Sequence, residues 1–265
     1  MTDQMIALSR RCEESARAAA ACGREVARFG PFEALIDLGT DLIWLNYAVP
    51  VEPVDDLPAA MAALEQLKAH FRSRGRRPRF EFNAAPWPEL PALLESAGLT
   101  LQERQPMMVC RLADLRHPAI PGVTARLLDA GSPDADFLAI WHIQAESFGE
   151  FGSAPDAGRL LRQRARLRAG ASLMALAALN GVLAGAGELL PDGTDVAELV
   201  GVATRAECRR RGVASALSAA LTDAFFSRGG HVAWLSAADA GAQAAYARVG
   251  YVPLDERVNY SMGDV

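Results

Sequence analysis

The chain contains itself twice. Leu67-x-x-x-Phe71-x-Ser73-Arg74-Gly75 returns 154 residues later as Leu221-x-x-x-Phe225-x-Ser227-Arg228-Gly229. Each string reads as the end of an amphipathic helix closed by glycine. A strand follows in both, Arg79–Phe82 and Val232–Leu235, and then a short helix. Ala97-Gly98-Leu99 next pairs with Val249-Gly250-Tyr251 at an offset of 152, the difference being absorbed by Arg76-Arg77. Closing strands end Pro106–Val109 and Asn259–Met262. Two matched strings with one small gap point to duplication of a whole domain, not to a short stacked repeat. The expected fold is therefore α+β in two halves, each a mostly antiparallel twisted sheet flanked by helices. Pro118 and Pro121 punctuate the link, which predicts domains over 1–115 and 122–265.

The first half begins with a helix over 3–22, followed by strands near 33–38 and 42–49 and a helix over 57–74. In the second half, Val123–Leu128 is a strand, and Ser132-Pro133 opens a helix over 134–147. A basic helix over 156–169 comes next. Asn180-Gly181 turns a hairpin between Ser172–Leu179 and Val182–Leu190. Strand 196–204, helix 212–226, strand 231–236, helix 240–249 and strand 251–262 complete the chain.

A length of 265 residues suits two domains, and 51% hydrophobic with 22% charged residues supports a substantial core. The net charge of −5 disfavours non-specific nucleic-acid binding, so no nucleic-acid partner is expected. No apolar run approaches the roughly 18 residues of a membrane span, and the expected location is the cytoplasm, off the membrane. Four scattered cysteines and four histidines lack metal-ligand spacing, so neither disulfides nor a metal is expected. Cys208 reads as a small buried filler or as a reactive thiol beside a basic bend. The basic runs Arg72–Arg79 and Arg159–Arg168 read as solvated faces.

That bend carries the chemistry. In residues 196–215 an apolar strand runs into Arg209-Arg210-Arg211-Gly212-Val213-Ala214-Ser215, where a helix starts. Orphan N–H groups of the first helical turn and the helix dipole both favour an anion there. Gly212 lets the backbone approach a phosphate closely. Arg209, Arg210 and Arg211 add charge.

In this setting Arg209–Ala214 resembles the Arg/Gln-x-x-Gly-x-Gly/Ala signature of the GNAT superfamily of N-acetyltransferases. Ala242-x-x-x-Tyr246-x-x-x-Gly250-Tyr251 is similar to that family's Ala-x-x-x-Tyr-x-x-x-Gly-Phe ending. The resemblance covers 122–265 directly and the remainder through the repeat. It implies acetyl-CoA as cofactor, its pyrophosphate held at Arg211–Ser215. It also implies pantetheine along the main chain of Val202, Ala203 and Thr204, with the Val202 N–H on the acetyl carbonyl. Tyr246 stands where the family's tyrosine protonates the leaving thiolate, or is a core tyrosine of its helix. Glu198, four residues before Val202 and expected on the same strand face, reads as general base, directly or through water, or as a surface carboxylate. Asp239 replaces an asparagine that is common in the family, which leaves that cofactor contact open.

The first half serves as an internal control. The offset of 154 carries Arg209–Ala214 onto Asp55-Asp56-Leu57-Pro58-Ala59-Ala60, Tyr246 near Leu94 and Glu198 onto Trp44. Two carboxylates repel a pyrophosphate, and Pro58 has no N–H. The first half reads as a degenerate copy without a cofactor site. Glu146 and Phe148, with Phe151, are candidates for the acceptor pocket; a Trp141/Ile143/Phe148 stripe is otherwise core. His142 reads as a packing residue. The sequence-level conclusion is an acetyl-CoA-dependent N-acetyltransferase acting on a small-molecule amine in a ternary complex, as monomer or homodimer. The alternatives are a non-catalytic acyl-CoA-binding module and a protein N-acetyltransferase.

Overall fold

The repeat is present in the computed structural model, which describes residues 1–149 and 154–263, as two units whose boundary is not where the sequence predicts. One unit is Met1–Met107 together with the C-terminal residues from Leu254; the other is Met108–Pro253.

In the first unit, Thr2 caps α1 (Asp3–Ala21), which buries Leu8, Cys12 and Ala16 along one stripe. A hairpin joins β1 (Glu25–Phe29) to β2 (Phe32–Ile36), and β2 pairs antiparallel with β3 (Asn46–Pro50). The chain continues through α2 (Leu57–Ser73), β4 (Arg79–Asn83), α3 (Leu90–Ser96) and β5 (Leu99–Arg111). β3 and β4 are parallel, with α2 as their crossover. Strand β1 was not expected from sequence. It lies at the sheet edge with alternate residues exposed, and its Arg and Glu dilute the hydropathy signal. The expected strand over 42–49 starts only at Asn46, because residues 43–45 form a 3-10 turn. Asn46 holds that loop: its Oδ1 accepts the Asp37 N–H, and its Nδ2 donates to the carbonyls of Thr40 and Leu42.

The second unit contains β6 (Val123–Leu127), α4 (Asp134–Phe148), α5 (Ala157–Arg168), β7 (Leu173–Leu179), β8 (Val182–Pro191) and β9 (Val196–Thr204). It continues with α6 (Val213–Phe226), β10 (Val232–Ser236) and α7 (Ala240–Ala247). Asn180 and Gly181 take the positive φ values of a tight hairpin turn, 51° and 84°. β6 to β9 run antiparallel to their neighbours, whereas β9 and β10 are parallel with α6 between them. This repeats the β3–α2–β4 arrangement. Leu217, Leu221 and Phe225 of α6 pack on Ala175, Leu189 and Leu199 on one sheet face. Phe137, Ile140 and Ile143 of α4 and Leu160 of α5 pack on Met174, Leu176, Ala186 and Ala203 on the other.

The closing strands correct the sequence reading. The last strand of the chain, β11 (Val252–Met262), lies beside β4 in the first unit from Leu254 onward, with Val258 opposite Phe82 and Tyr260 opposite Phe80. The second unit instead takes Met108–Arg111 of β5 beside β10. Met108 and Cys110 sit in its core, Leu115 packs against that core, and the Arg116 N–H donates to the Val249 carbonyl. The expected linker is therefore tied to the second unit at Leu115 and Arg116, while His117, Ala119 and Pro121 are exposed. β5 closes in a continuous apolar run, Met107–Cys110, whereas β11 alternates Val258, Tyr260 and Met262 with polar residues, and neither pattern by itself names the unit that the strand joins.

The inward polar face of β11 has its own partners in the first unit. Glu13 of α1 accepts the Asn83 N–H at 2.9 Å and the Trp87 indole N–H at 2.5 Å. Arg257 lies 3.7 Å from Glu13 and donates to Glu81 at 3.2 Å. The Asp255 carboxylate accepts the Ser9 hydroxyl at 2.6 Å. Burial pushes the Glu13 carboxyl up to about 7, against the pull of Arg257 and the two N–H donors.

Candidate active site

The site grows from an irregularity in β9. Ala186 of β8 pairs with Ala203 of β9, and Glu188 pairs with Val200. Two steps on β8 thus span three on β9, so β9 carries one extra residue, a β-bulge. Gly201 sits in it with φ at +60°. Neither Gly201 nor Val202 has a register partner on β8. On its other side β9 pairs with β10 only at Val196, Ala197 and Glu198. Beyond Glu198 the two parallel strands part, which leaves the main chain of residues 199–204 along an open edge.

The bulge also reverses the side-chain alternation. Ala197, Leu199 and Val202 face the core under α6, so Glu198 points to the opposite face. Sequence spacing had put Glu198 and Val202 on one face; the extra residue separates them. Glu198 is the last residue of β9 paired with β10 before the strands part, and Val202 lies in the parted stretch. Trp234 stands opposite Glu198 on β10, and Glu188 is its diagonal neighbour on β8. Glu188 escaped the sequence reading. It is a lone carboxylate in an apolar strand, held by the Ser172 hydroxyl at 2.6 Å with Arg166 at 3.9 Å.

The end of β9 leads into the basic bend. Residues 206–208 make a 3-10 turn, and Cys208 is buried in the core as a filler. Arg209 folds back, its Nε donating to the Thr204 carbonyl at 3.2 Å. Arg210 adopts a left-handed φ of 58°, an uncommon conformation for a side chain of its size. Gly212 follows at 83°, where a Cβ would lie 2.6 Å from Ile120 Cδ1. Ile120 therefore sets a second demand for glycine that the hexapeptide alone does not show. No side chain caps α6 and no acid stands in its first turn. The N–H groups of Val213, Ala214 and Ser215 and the exposed side chains of Arg210 and Arg211 therefore define a cationic pole. Val213 is anchored in the core, and Ser215 turns its hydroxyl to the Ala245 carbonyl at 2.9 Å.

That last bond places α7, and with it Tyr246, against the first turn of α6. Tyr246 is 8% exposed, and its ring lies 6.0 Å from that of Tyr251, whose hydroxyl bonds Thr222 at 2.6 Å. Burial, helped by Asp239, pushes the Tyr246 phenol up to about 12. The phenol stays protonated at neutral pH and is a hydrogen donor. Asp239 caps α7 by accepting the Ala242 N–H at 2.8 Å.

The acceptor candidates are on α4. Glu146 lies 3.4 Å from Arg205 Nε, and Phe148 is half exposed. His142 is exposed, with its ring edge-on to Trp141 at 4.8 Å. Phe151 lies outside the described residues. Between them, Gln144 and Ser147 reach the sheet at the Gly201 and Thr204 carbonyls.

The corresponding place in the first unit differs at each point. Asp56 caps α2, its carboxylate accepting the Ala59 N–H at 3.0 Å, and Pro58 occupies the first turn. A pocket of about 260 Å³ is present there, but Glu52, Asp55 and Asp56 stand in its wall. Leu94 is core, and Trp44 lies in the 3-10 turn before β3.

Residues 137–251 match the Acetyltransferase (GNAT) family model. Among solved structures, the chain is similar to a GCN5-related N-acetyltransferase from Kribbella flavida, at 24% identity and a TM-score of 0.81, covering 97% of this chain and 96% of that one. A GCN5-related N-acetyltransferase from Sphaerobacter thermophilus matches at 18% identity and a TM-score of 0.66, covering 89% and 79%. A tandem GNAT protein from the clavulanic acid biosynthesis pathway matches at 16% identity and a TM-score of 0.57, covering 88% and 79%. No curated protein sequence matches the chain.

Proposed function

We propose that this chain, whose residues 137–251 match the GNAT family model, is an N-acetyltransferase that moves the acetyl group of acetyl-CoA directly to the amine of a small molecule. The observation that carries this reading is the parted strand pair that ends at an uncapped, arginine-flanked helix start. An extended pantetheine arm fits the open edge of β9 as an extra strand, and a pyrophosphate fits the first turn of α6.

The residues fit the cofactor. Backbone N–H groups from Val213 to Ser215, with Arg210 and Arg211, hold the phosphates; the main chain of Val202, Ala203 and Thr204 runs along the arm. Acetyl-CoA, when bound, would supply an activated thioester. The Val202 N–H would donate to the acetyl carbonyl oxygen as it gains negative charge. Glu198 takes the proton of the acceptor ammonium, directly or through water, with Glu188 as a second carboxylate on that face. With acetyl-CoA bound, these residues would hold the acetyl carbonyl at Val202, the acceptor nitrogen at Glu198 and the sulfur at Tyr246. Tyr246 donates a hydrogen bond to the departing sulfur. Its phenol near 12 is a weak acid toward a thiolate whose thiol titrates near about 8.5, so the hydrogen bond comes before any full proton transfer. The first unit binds no cofactor. Its role is structural, and the protein acts as a monomer or homodimer in the cytoplasm without nucleic-acid or membrane partners.

The test is thiol release from acetyl-CoA across a panel of small amines, repeated with Glu198→Gln. Amine-dependent release that falls roughly 100-fold in the variant at neutral pH supports the reading. Tight coenzyme A binding without turnover on any amine would instead identify an acyl-CoA-binding module.

A further inference from the structure

Gln144 is a polar side chain with 7% exposure on the core face of α4, among Phe137, Ile140 and Ile143. Burying an amide in such a place is costly unless it makes a hydrogen bond that matters. Its Nε2 donates to the Gly201 carbonyl at 2.9 Å, the carbonyl of the residue that makes the β9 bulge. The fit is mutual: a Cβ on Gly201 would collide with Gln144 Nε2, and the positive φ of Gly201 already favours glycine. One peptide further on is the Val202 N–H.

We propose that Gln144 is a positioning residue for acyl transfer: its amide pins the Gly201 carbonyl and so fixes the bulged peptide in the orientation that aims the Val202 N–H into the gap between β9 and β10. This rests on reading that gap as the thioester site. A bulged segment with no ladder partner on either strand lacks the bonds that hold an ordinary strand in register. The carbonyl of Gly201 and the N–H of Val202 belong to one rigid peptide plane, so holding the first directs the second. Ser147 adds a weaker tie at the Thr204 carbonyl, 3.4 Å away, one residue beyond Ala203. Helix α4 thereby clamps β9 on the side away from α6. An oxyanion donor works through preorganisation, so a clamp of this kind acts on kcat more than on cofactor affinity.

The experiment compares wild type, Gln144→Leu and Gln144→Glu in thiol release from acetyl-CoA, with coenzyme A affinity measured by calorimetry. Gln144→Leu keeps the size and removes the donor. Its kcat is expected to fall about 10- to 100-fold, while affinity stays within about threefold. In Gln144→Glu a carboxylate faces the carbonyl at neutral pH, but the protonated acid donates again. Burial raises its pKa, so the kcat of this variant relative to wild type should recover as pH falls, whereas Gln144→Leu shows no recovery. A Gln144→Leu enzyme with kcat within twofold of wild type overturns the proposal. So does a parallel loss of kcat and affinity, which marks a merely structural role. If Gln144→Leu does not fold, a flat pH ratio for Gln144→Glu overturns it by itself. A wild type that transfers acetyl to no amine overturns the thioester-site reading and this proposal together.

Discussion

At the start of α6, Gly212 bends the chain through a left-handed φ and leaves three N–H groups facing outward between arginines. At the start of α2, in the same strand–helix–strand setting, Asp56 turns its carboxylate onto the Ala59 N–H, and Pro58 removes another donor. Both starts are sound ways to begin a helix, since each deals with the orphan donors of the first turn. They differ in who supplies the acceptor. The first unit satisfies its helix from within and has carboxylates around the hollow beside it. The second leaves the first turn of its helix without a side-chain cap, beside Arg210 and Arg211. A duplicated fold can thus keep its scaffold while one copy closes the site with a single side chain.

The strongest attempt to break this contrast is Gly212→Asp. It adds a Cβ against Ile120, forces a strained φ and places a negative charge at the helix start. Coenzyme A affinity should fall about 100-fold or more in calorimetry, with one site per chain in the wild type. Two bound cofactors per wild-type chain would show that the first unit has not lost its site. Next in size, Tyr246→Phe removes a donor that the first unit, with Leu94 near the matching place, already lacks. A fall in kcat of about 10- to 100-fold at unchanged affinity is expected, and an unchanged rate would remove Tyr246 from the mechanism.

Glu13 sharpens the contrast from the other side, because the buried polar groups of the first unit serve stability. Folded, Glu13 keeps its proton up to about pH 7; unfolded, it loses it near 4.5. Folding therefore binds a proton between those values, and stability falls as pH rises from about 4.5 to 7, then levels off. Chemical denaturation should show that fall, roughly 1–3 kcal/mol, in wild type relative to Glu13→Gln. Equal pH slopes in the two proteins would contradict the assignment. The smallest effect belongs to Asp56→Ala, which removes a cap. It should cost about 1 kcal/mol in stability and leave coenzyme A affinity and turnover untouched.

Much of the site was legible because its signals are local. A strand, a glycine bend and an apolar helix stripe mark the uncapped, arginine-flanked start of α6, and Tyr246 lies in the next helix, α7. Other parts depend on contacts distant in sequence. Ile120 beneath Gly212, Glu188 diagonal to Glu198 and Gln144 on the Gly201 carbonyl have no spacing that announces them. The bulge was invisible for a different reason. Val-Gly-Val alternates as an ordinary strand does, and only pairing with β8 shows one residue too many. That one residue turned the expected shared face of Glu198 and Val202 into opposite faces.

By itself the sequence determined that this chain has two similar α+β halves, and that one helix start carries glycine and arginines where the other carries carboxylates and proline. These follow from hydrophobic period, helix caps and the conformational freedom of glycine, which act within a few residues. The tertiary structure decided which closing strand completes which unit, that β1 exists at an edge, and that Leu115, Arg116 and Ile120 of the expected linker are tied to the second unit. Those outcomes turn on which long-range pairing buries the most apolar surface while satisfying Arg257, Asn83 and Glu13. A chain read one residue at a time does not contain that comparison.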